Sequence, residues 1–336
     1  MVQVALDARS LAWPTDWAVV FGRKAALVLE IGFGNGLALA TMAQAHPAWD
    51  HLGIEISLPS LRRGLRRVER ADLSNVRLLD SDALYVLWAL LLPASVDRVT
   101  INFPDPWPKP NHHHRRLLND HFLDLLASRL KVGADLDIAT DHADYAAHIA
   151  ACLQVSACFT SRTKSPYAVD DPLRVRTKYE QKALAAGRSC HYFKWHRNDT
   201  PSAKPFPIPE EYPMPHLILK TPLTLAQIAK SLPPLAWRGA HVNGRFIDVL
   251  HSQRAHVILV DTYINEEPLS QRVGLTIRSR RRQAHELVIG VHELGFPRPT
   301  RGVHLALAAL AAWMEELAPE TMALESNLQT TDVTIG

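Results

Sequence analysis

The chain has 336 residues, which is long for one domain and comfortable for two. Its formal net charge at pH 7 is only +3, so overall charge favours no class of partner, and any argument for nucleic-acid binding must rest on local patches. No apolar run approaches the ~20 residues that span a bilayer, and the three cysteines form no CxxC pair, so neither a membrane span nor a metal framework is predicted.

The first elements indicate an arm followed by a buried strand. Residues 1–24 contain large aromatic side chains but little periodicity, and we expect them to pack on the first domain as an arm. They lack the basic-then-apolar pattern of a signal peptide, so a cytoplasmic protein is expected. The mostly apolar run Ala25 to Ile31 predicts a strand buried on both faces, as in a parallel sheet. An apolar helix is expected from Leu37 to Ala45.

A glycine-rich turn, Glu30-Ile31-Gly32-Phe33-Gly34-Asn35-Gly36, joins that strand to the helix. Glycines in such a turn let a nucleotide approach the backbone at the start of a helix. The spacing is G-x-G-x-G after an acid, which is typical of S-adenosylmethionine sites. Dinucleotide sites have G-x-G-x-x-G, and Glu30 would repel a pyrophosphate, so a nicotinamide dehydrogenase is disfavoured. A tight turn without a ligand is the alternative.

Two further acids follow predicted strands. Glu55 lies in a strand from His51 to Ile56, about 20 residues after the glycines, where a carboxylate suits both hydroxyls of a ribose. Asp82 follows a strand from Val76 to Leu79 and is suited to accept a hydrogen bond from an adenine amino group. For Glu55, the alternative is a solvated acid at the end of a strand.

A helix with one apolar stripe is expected between these two strands, and its other side is strongly basic. The basic residues are Arg62, Arg63, Arg66, Arg67 and Arg70. A solvated face is the favoured interpretation, and a phosphate-facing role is the alternative.

The loop Asn102 to Arg116 follows a fourth predicted strand, Val96 to Phe103. Its four prolines exclude both helix and ladder, so a stiff loop leaves the end of the strand. In open α/β sheets ligands bind outside the carboxyl ends of the strands. The loop carries the carboxylate of Asp105, the ring of Trp107 and a cluster of cationic or titratable groups. A rigid surface turn is the alternative.

The first domain continues as a β/α series. A helix is expected from Leu117 to Leu130, ended by Gly133, and a fifth strand from Asp135 to Ala139 precedes Asp141. Another helix, Tyr145 to Leu153, and a strand, Ala157 to Arg162, follow. The segment Thr177-Lys178-Tyr179-Glu180 offers a hydroxyl, a cation, a ring and a carboxylate, which suit a purine and its phosphate. Its alternative is a helix cap.

The pattern changes after a proline-dense linker, residues 200–215. Residues 216–319 predict a small α+β domain with an antiparallel meander, in which Asn243-Gly244 is a hairpin signal. A capping box at Thr224 opens a short helix, a closing helix runs from Val303 to Leu317, and residues 320–336 are expected to be a flexible tail.

One strand of the second domain has a basic outer face. Between Val273 and Arg280 the apolar residues alternate with Arg278 and Arg280, and Arg281 and Arg282 extend the charge into the next turn. We interpret this face either as an accessory contact for a tRNA backbone or as an edge protected by charge.

The motifs together resemble the bacterial tRNA (guanine-N7-)-methyltransferase family, from about Ala25 to His196. The block Phe103-Pro104-Asp105-Pro106-Trp107-Pro108-Lys109 is the most specific. The other carriers are the glycine turn with Leu29, Gly53-Ile54-Glu55, Asp82-Ala83, Arg115-Arg116-Leu117, Ala139-Thr140-Asp141 and Thr177 to Glu180. Residues 25–199 would then be the methyltransferase domain, and the short members of the family lack the second domain.

The resemblance implies a Rossmann-like α/β fold, S-adenosyl-L-methionine as cofactor and tRNA as partner. It implies cofactor contacts from Glu30, Glu55, Asp82 and Asp105, with Gly32 and Gly34 in the turn, and substrate contacts from Lys109, Asp141, Thr177, Lys178, Tyr179 and Glu180. The RNA-contacting stretch is Asn111, His112, His113, His114, Arg115 and Arg116. Histidines replace the usual Lys and Arg there, so RNA affinity is expected to rise in mild acid. A His-rich metal site is disfavoured because consecutive histidines rarely converge on one ion.

Two rival functions remain at the level of sequence. An adenine amino-methyltransferase acting on nucleic acid has an acidic loop with two prolines and an aromatic residue, whereas Trp107 follows only one proline after Asp105. An RNA-binding protein with an unused nucleotide fold is disfavoured because acids follow all four strands.

Guanine N7 carries no proton, so methyl transfer to it requires no general base, and Asp105 is the candidate that favours positive charge on the purine.

Overall fold

The computed structural model describes residues 3–172, 174–202, 204, 206–210, 212–281, 283, 285–293, 297–330 and 332–336, without the side chain of Arg9. The chain forms two compact units, Met1–Ile208 and Pro209–Gly336, and the division lies inside the predicted linker. Within the described ranges, no helix is both long enough and apolar enough to cross a membrane. Arg282 lies outside the described residues.

Unit 1 is built on one eight-stranded sheet in the order β1-β4-β3-β2-β5-β6-β8-β7. Strands β1 to β6 pair in parallel, whereas β8 is antiparallel to both of its neighbours. The strands are β1 Ala5–Leu6, β2 Ala26–Ile31, β3 Trp49–Glu55, β4 Val76–Asp80, β5 Val96–Asn102, β6 Leu130–Thr140, β7 Phe159–Ser161 and β8 His191–Arg197. The order reverses between β2 and β5, and such a switch point opens a crevice at the carboxyl ends of the strands.

Helices connect the strands of unit 1. They are α1 Trp17–Phe21, α2 Leu37–Ala45, α3 Leu58–Arg70, α4 Ala83–Tyr85, α5 Asp120–Arg129, α6 Ala143–Val155 and α7 Lys178–Ala185. A π turn over Val86–Leu90 continues α4, and a 3₁₀ helix spans Pro110–Arg115. The Rossmann-like fold class expected from the sequence is confirmed.

Two local predictions for unit 1 are wrong. Helix α5 begins after Asn119, whose side chain accepts a hydrogen bond from the Phe122 amide, so the preceding residues are loop. Gly133 does not end this helix, because β6 already begins at Leu130 and contains Gly133. Strand β8 was not predicted from the sequence, although it is the antiparallel strand that completes the sheet.

Unit 2 is an eight-stranded sheet in the order β15-β9-β14-β13-β12-β11-β10-β16, with every pairing antiparallel. Its strands are β9 Leu217–Lys220, β10 Leu235–Gly239, β11 Val242–Ser252, β12 Val257–Glu266, β13 Leu269–Ser279, β14 Glu286–Val291, β15 Met322–Ser326 and β16 Thr334–Ile335. Its helices are α8 Leu225–Ser231, which opens with the predicted capping box, and α9 Arg301–Leu317. Both helices contribute to one core with the sheet's apolar face.

The predicted Asn243-Gly244 hairpin turn is wrong. Both residues lie inside β11, and the turn between β10 and β11 falls at residues 240–241. Glycine is required at position 244 for packing, because a Cβ there would lie 2.2 Å from the ring of Trp237 on the paired strand. A glycine that admits a neighbouring ring gives the same sequence signal as a glycine in a turn.

The expected flexible tail, residues 320–336, is also a wrong prediction. It contributes β15, which pairs with β9, and β16, which pairs with β10. On β13 the predicted alternation is confirmed, since Val273, Leu275 and Ile277 are buried while Arg278 is exposed. Arg280 forms an ion pair with Glu286 at 2.8 Å, so part of the positive charge predicted on this face is neutralised.

Candidate active site

The glycine turn lies at the carboxyl end of β2, at the switch point of the sheet. Gly32, Gly34 and Gly36 all have positive φ, at 71°, 59° and 72°, which explains why side-chain-bearing residues are avoided there. The Gly32 amide donates to the carbonyl of Ile54 at 2.8 Å. The Asn35 side chain accepts from the first amide of α2 at 3.1 Å. The turn therefore has a fixed course around the start of α2.

Glu30 is a buried acid directly before this turn. Its side chain is only 5% exposed, and Oε1 accepts a hydrogen bond from the Asn102 amide at 2.9 Å. Burial raises the pKa of this carboxyl to about 7, although the Asn102 bond and the charge of Arg174 act in the opposite direction. A cation placed beside this carboxyl group would favour its ionised form.

Glu55 and Asp82 follow the two neighbouring strands and hold backbone amides. The two oxygens of Glu55 accept from the Gly34 amide and the Ser57 amide, each at 2.9 Å. Asp82 is exposed and caps α4, where it accepts from the Leu84 amide at 2.8 Å. Glu55 thus ties the glycine turn to the end of β3, and each carboxylate oxygen retains a further lone pair for a ligand.

Asp105 is exposed on the proline-rich loop after β5. Two residues with positive φ flank it, Phe103 at 53° and Trp107 at 42°, a conformation that costs energy for residues with a side chain. Packing compensates, because Phe103 lies against the cluster that contains Ala139 and Tyr192. The loop therefore holds the carboxylate of Asp105 at the edge where the glycine turn lies.

The cationic part of the loop forms the 3₁₀ helix over residues 110–115. All its residues are exposed or half-buried. The guanidinium of Arg115 stacks over the ring of Trp107 at 5.0 Å, and the ring of His112 meets Trp107 edge-on at 5.9 Å. Lys109 is exposed before the helix. An aromatic ring at the surface that contacts cationic or titratable groups is suited to bind an RNA strand.

Arg116 does not fit the expected RNA-contacting stretch. It is 4% exposed, donates from Nε to the carbonyl of Pro106 at 2.9 Å, and lies over the ring of Tyr145 at 5.0 Å. This burial contradicts the prediction that it contacts RNA. Its contact with Pro106 instead supports the loop that carries Asp105.

The position of Glu180 likewise contradicts the expectation that it contacts the substrate. Its side chain is fully buried, accepts from Arg174 Nε at 3.1 Å and from the Tyr192 hydroxyl at 3.0 Å, and closes the capping box of α7 with Thr177. Arg174 also donates to the amide oxygen of Asn102. One network therefore joins Glu30, Asn102, Arg174 and Glu180 beneath the site.

The sequence interpretation missed three members of this network, namely Asn102, Arg174 and Tyr192. Asn102 is the first residue of the loop already singled out, whereas Arg174 lies three residues before the segment Thr177 to Glu180. The sequence alone does not reveal this network, because its members meet only when the fold places β5, β6 and β8 side by side.

Other expected substrate contacts remain accessible. Thr177 is half-buried, whereas Lys178 and Tyr179 are exposed, with Tyr179 at 70%. Asp141 follows β6 and forms an ion pair with Arg188. These side chains lie on segments at the same edge of the sheet as the Asp105 loop.

The residues at this edge fit S-adenosylmethionine. The turn provides a close backbone approach, and the acids Glu30, Glu55 and Asp82 lie around it, where they would repel a pyrophosphate; the nearby cation Arg174 is already paired with Glu180. The elevated pKa of Glu30 is the feature that a cationic ligand would relieve. These acidic groups therefore suit a cationic nucleoside rather than a dinucleotide.

Comparisons with known proteins agree with this geometry. A family described as "Putative methyltransferase" matches residues 24–193. A protein of Thermus thermophilus named "tRNA (guanine-N(7)-)-methyltransferase" is 33% identical, over 93% of this chain and 96% of its own length. Proteins of the same name from Magnetococcus marinus and Nitrosospira multiformis are 43% and 44% identical. They cover 52% and 51% of this chain, and 70% and 75% of their own lengths.

Proposed function

The chain belongs to the tRNA (guanine-N7-)-methyltransferase family and uses S-adenosylmethionine, and from this premise we propose which of its residues bind the cofactor, hold the tRNA and act on the guanosine. The observation that carries the proposal is the arrangement of Glu30, Glu55, Asp82 and Asp105. Each lies at or just beyond the carboxyl end of a strand, on four neighbouring strands that pair in parallel within one sheet. Ligands of open α/β sheets bind at this edge.

The cofactor is held by the glycine turn and three acids. Glu30 offers a buried carboxylate to the ammonium group at the amino-acid end of the cofactor, and Glu55 accepts from the ribose hydroxyls. Asp82 faces the adenine. Gly32 and Gly34 leave room for the nucleoside against the backbone, since neither has an atom within 4 Å of where a Cβ would stand. When bound, the cofactor supplies a methyl group made electrophilic by its sulfonium.

The reaction at guanine N7 needs positioning and charge rather than proton transfer. N7 has a free lone pair and gains positive charge as the methyl group arrives. The carboxylate of Asp105, on its stiff loop, favours that charge in the transition state more than in the ground state. Orientation of the two reactants accounts for much of the remaining rate, with ~7–11 kcal/mol available in well-oriented reactions.

The tRNA is held on both sides of Asp105. Thr177, Lys178 and Tyr179 at the start of α7 contact the target guanosine, together with Lys109 and Asp141. The RNA strand continues over Asn111, His112, His113, His114 and Arg115. Arg116 and Glu180 support these contacts from beneath, because both are buried.

Replacement of the Asp105 carboxylate tests this proposal. In Asp105→Asn we expect single-turnover methylation of tRNA to fall by about 10²–10³-fold, the range for loss of one electrostatic group at a reacting centre. Binding of tRNA should change little, and the protein should melt as the wild type does, because Asp105 is an exposed loop residue.

Asp199→Asn is the matched control. Asp199 is exposed just after β8, and since β8 is antiparallel to β6, this residue lies toward the opposite edge of the sheet. Its rate should equal that of the wild type. A rate for Asp105→Asn within a few-fold of the control would show that Asp105 has no role at the reacting nitrogen.

A further inference from the structure

A strongly basic cleft of about 700 Å³ lies between α2 and α3 and reaches the start of α7. Its cationic lining residues are Arg63, Arg66, Arg67 and Arg70 of α3 and Lys178 of α7. None of the described lining residues is acidic; the other polar ones are Asn35, Thr41 and Gln44. Five cations around one concave space make a stronger field than the same charges on a convex, solvated face.

The wall of this cleft is held in place. Arg67 is half-buried and donates from Nε to the carbonyl of Asn35 at 3.1 Å. The two helices approach closely because Gly36 and Gly64 face each other, and a Cβ on Gly36 would lie 2.9 Å from Gly64 Cα. The glycine turn thus fixes the position of the arginine-bearing helix.

The cleft begins where the methyl-transfer site ends. Asn35 belongs to the glycine turn, and Lys178 lies in the segment Thr177 to Tyr179 that we assign to the guanosine. The cofactor has no phosphate and no net negative charge, so it does not account for five cations. The polyanionic substrate does.

We propose that this cleft binds backbone phosphates of the tRNA beside the target guanosine. The inference rests on the proposed function and extends it to a second RNA contact, separate from the loop over residues 110–115. Arg63 to Arg70 span about 10 Å along the helix. A row of this length can reach more than one consecutive phosphate of an RNA strand.

An arginine on α3 outside the cleft provides a matched control. Arg66 and Arg70 are exposed and line the cleft, whereas Arg62 is exposed on the same helix but does not line it. Arg66→Gln/Arg70→Gln removes two cleft charges and Arg62→Gln removes one helix charge elsewhere. Neither change removes a buried group, and thermal melting checks that both proteins remain folded.

The test measures tRNA affinity by fluorescence anisotropy over a range of salt concentrations, with cofactor affinity measured by calorimetry. For the double variant we expect weaker tRNA binding and a log–log salt slope shallower by about 1.4–1.8, that is, ~0.7–0.9 for each of two phosphates. Cofactor affinity should be unchanged. Arg62→Gln should keep the wild-type slope.

Two results would overturn the proposal: a double variant with the wild-type slope and affinity, or an Arg62→Gln variant that loses as much slope per charge. The first places no phosphate in the cleft, and the second shows only a general effect of helix charge. Methylation of tRNA by the wild type tests the proposed function separately. The salt slope shows whether the cleft binds phosphates, whatever the result of the methylation assay.

Discussion

The buried acid Glu30 should make cofactor binding depend on pH around neutrality. Its pKa in the free protein is about 7, raised from 4.5 chiefly by burial. The difference corresponds to ~3 kcal/mol, at 1.36 kcal/mol for each pH unit. Below pH 7 the pocket therefore holds a neutral acid, and a cationic cofactor must expel its proton before the two charges can pair.

The expected size follows from the ionised fraction. With a pKa of about 7, Glu30 is roughly 90% ionised at pH 8 and 10% ionised at pH 6, so cofactor affinity should fall about tenfold between them. The dissociation constant is measured by titration calorimetry at both pH values. Buffers of different ionisation enthalpy should report close to one proton released on binding at pH 6.

Glu30→Gln is the control, because glutamine has nearly the same shape and no titration. It should bind the cofactor weakly and with no such pH dependence. In the free protein, the pH dependence of stability has the opposite sign to that of cofactor binding. A raised carboxyl pKa gives stability that is complete below about 4.5 and is lost as pH rises through 7, so Glu30→Gln should be more stable than the wild type at pH 8. Equal pH profiles for cofactor binding in the two proteins would refute this reasoning.

Three further changes follow from the contacts. Arg174→Met should destabilise unit 1 by about 3–5 kcal/mol in urea unfolding, because it leaves Glu180 buried without its cation. Gly244→Ala should lower the stability of unit 2 by about 1–3 kcal/mol, because its Cβ would overlap a buried tryptophan ring. Glu55→Ala should weaken cofactor binding by ~1.5–3 kcal/mol in calorimetry, because a charge-assisted hydrogen bond is lost, while tRNA binding stays nearly intact.

Each of these predictions has a control or an opposing outcome. Arg176→Met, at an exposed position beside the network, should leave stability unchanged, and an equal loss in both arginine variants would contradict the role of the ion pair. In Gly290→Ala the added Cβ would make only an ordinary van der Waals contact, 3.8 Å from Thr276 Oγ1, so this change should be far milder than Gly244→Ala. An unchanged cofactor dissociation constant in Glu55→Ala would remove that residue from the ribose site.

The acids at the strand ends were predictable because their positions depend on chain order and on the rule for parallel sheets. Glu30, Glu55 and Asp105 follow apolar runs, and such runs predict strands that end at one edge. The proline-rich loop after β5 was predictable for the same reason. Local sequence and the direction of the strands suffice to place these groups.

Burial of a charged residue is much harder to predict from sequence. Glu180 and Arg116 were expected to face the substrate because they lie in stretches that match the family's substrate and RNA contacts, and charged residues are rarely buried. Their partners, Tyr192 and Tyr145, come from strands or helices distant in the chain. The prediction of a hairpin turn at Gly244 was wrong for a related reason, because the ring that requires a glycine there belongs to the neighbouring strand. Only the packed structure brings these pairs together.

The identity of the methylated nucleoside tests the central claim most directly. The wild-type protein is incubated with unmodified tRNA and S-adenosylmethionine labelled in its methyl group, and the tRNA is digested and analysed by nucleoside mass spectrometry. The label should appear in N7-methylguanosine with the wild type and should be reduced by at least about 10²-fold with Asp105→Asn. Label in the exocyclic amino group of adenosine, or no label in tRNA, would contradict the account.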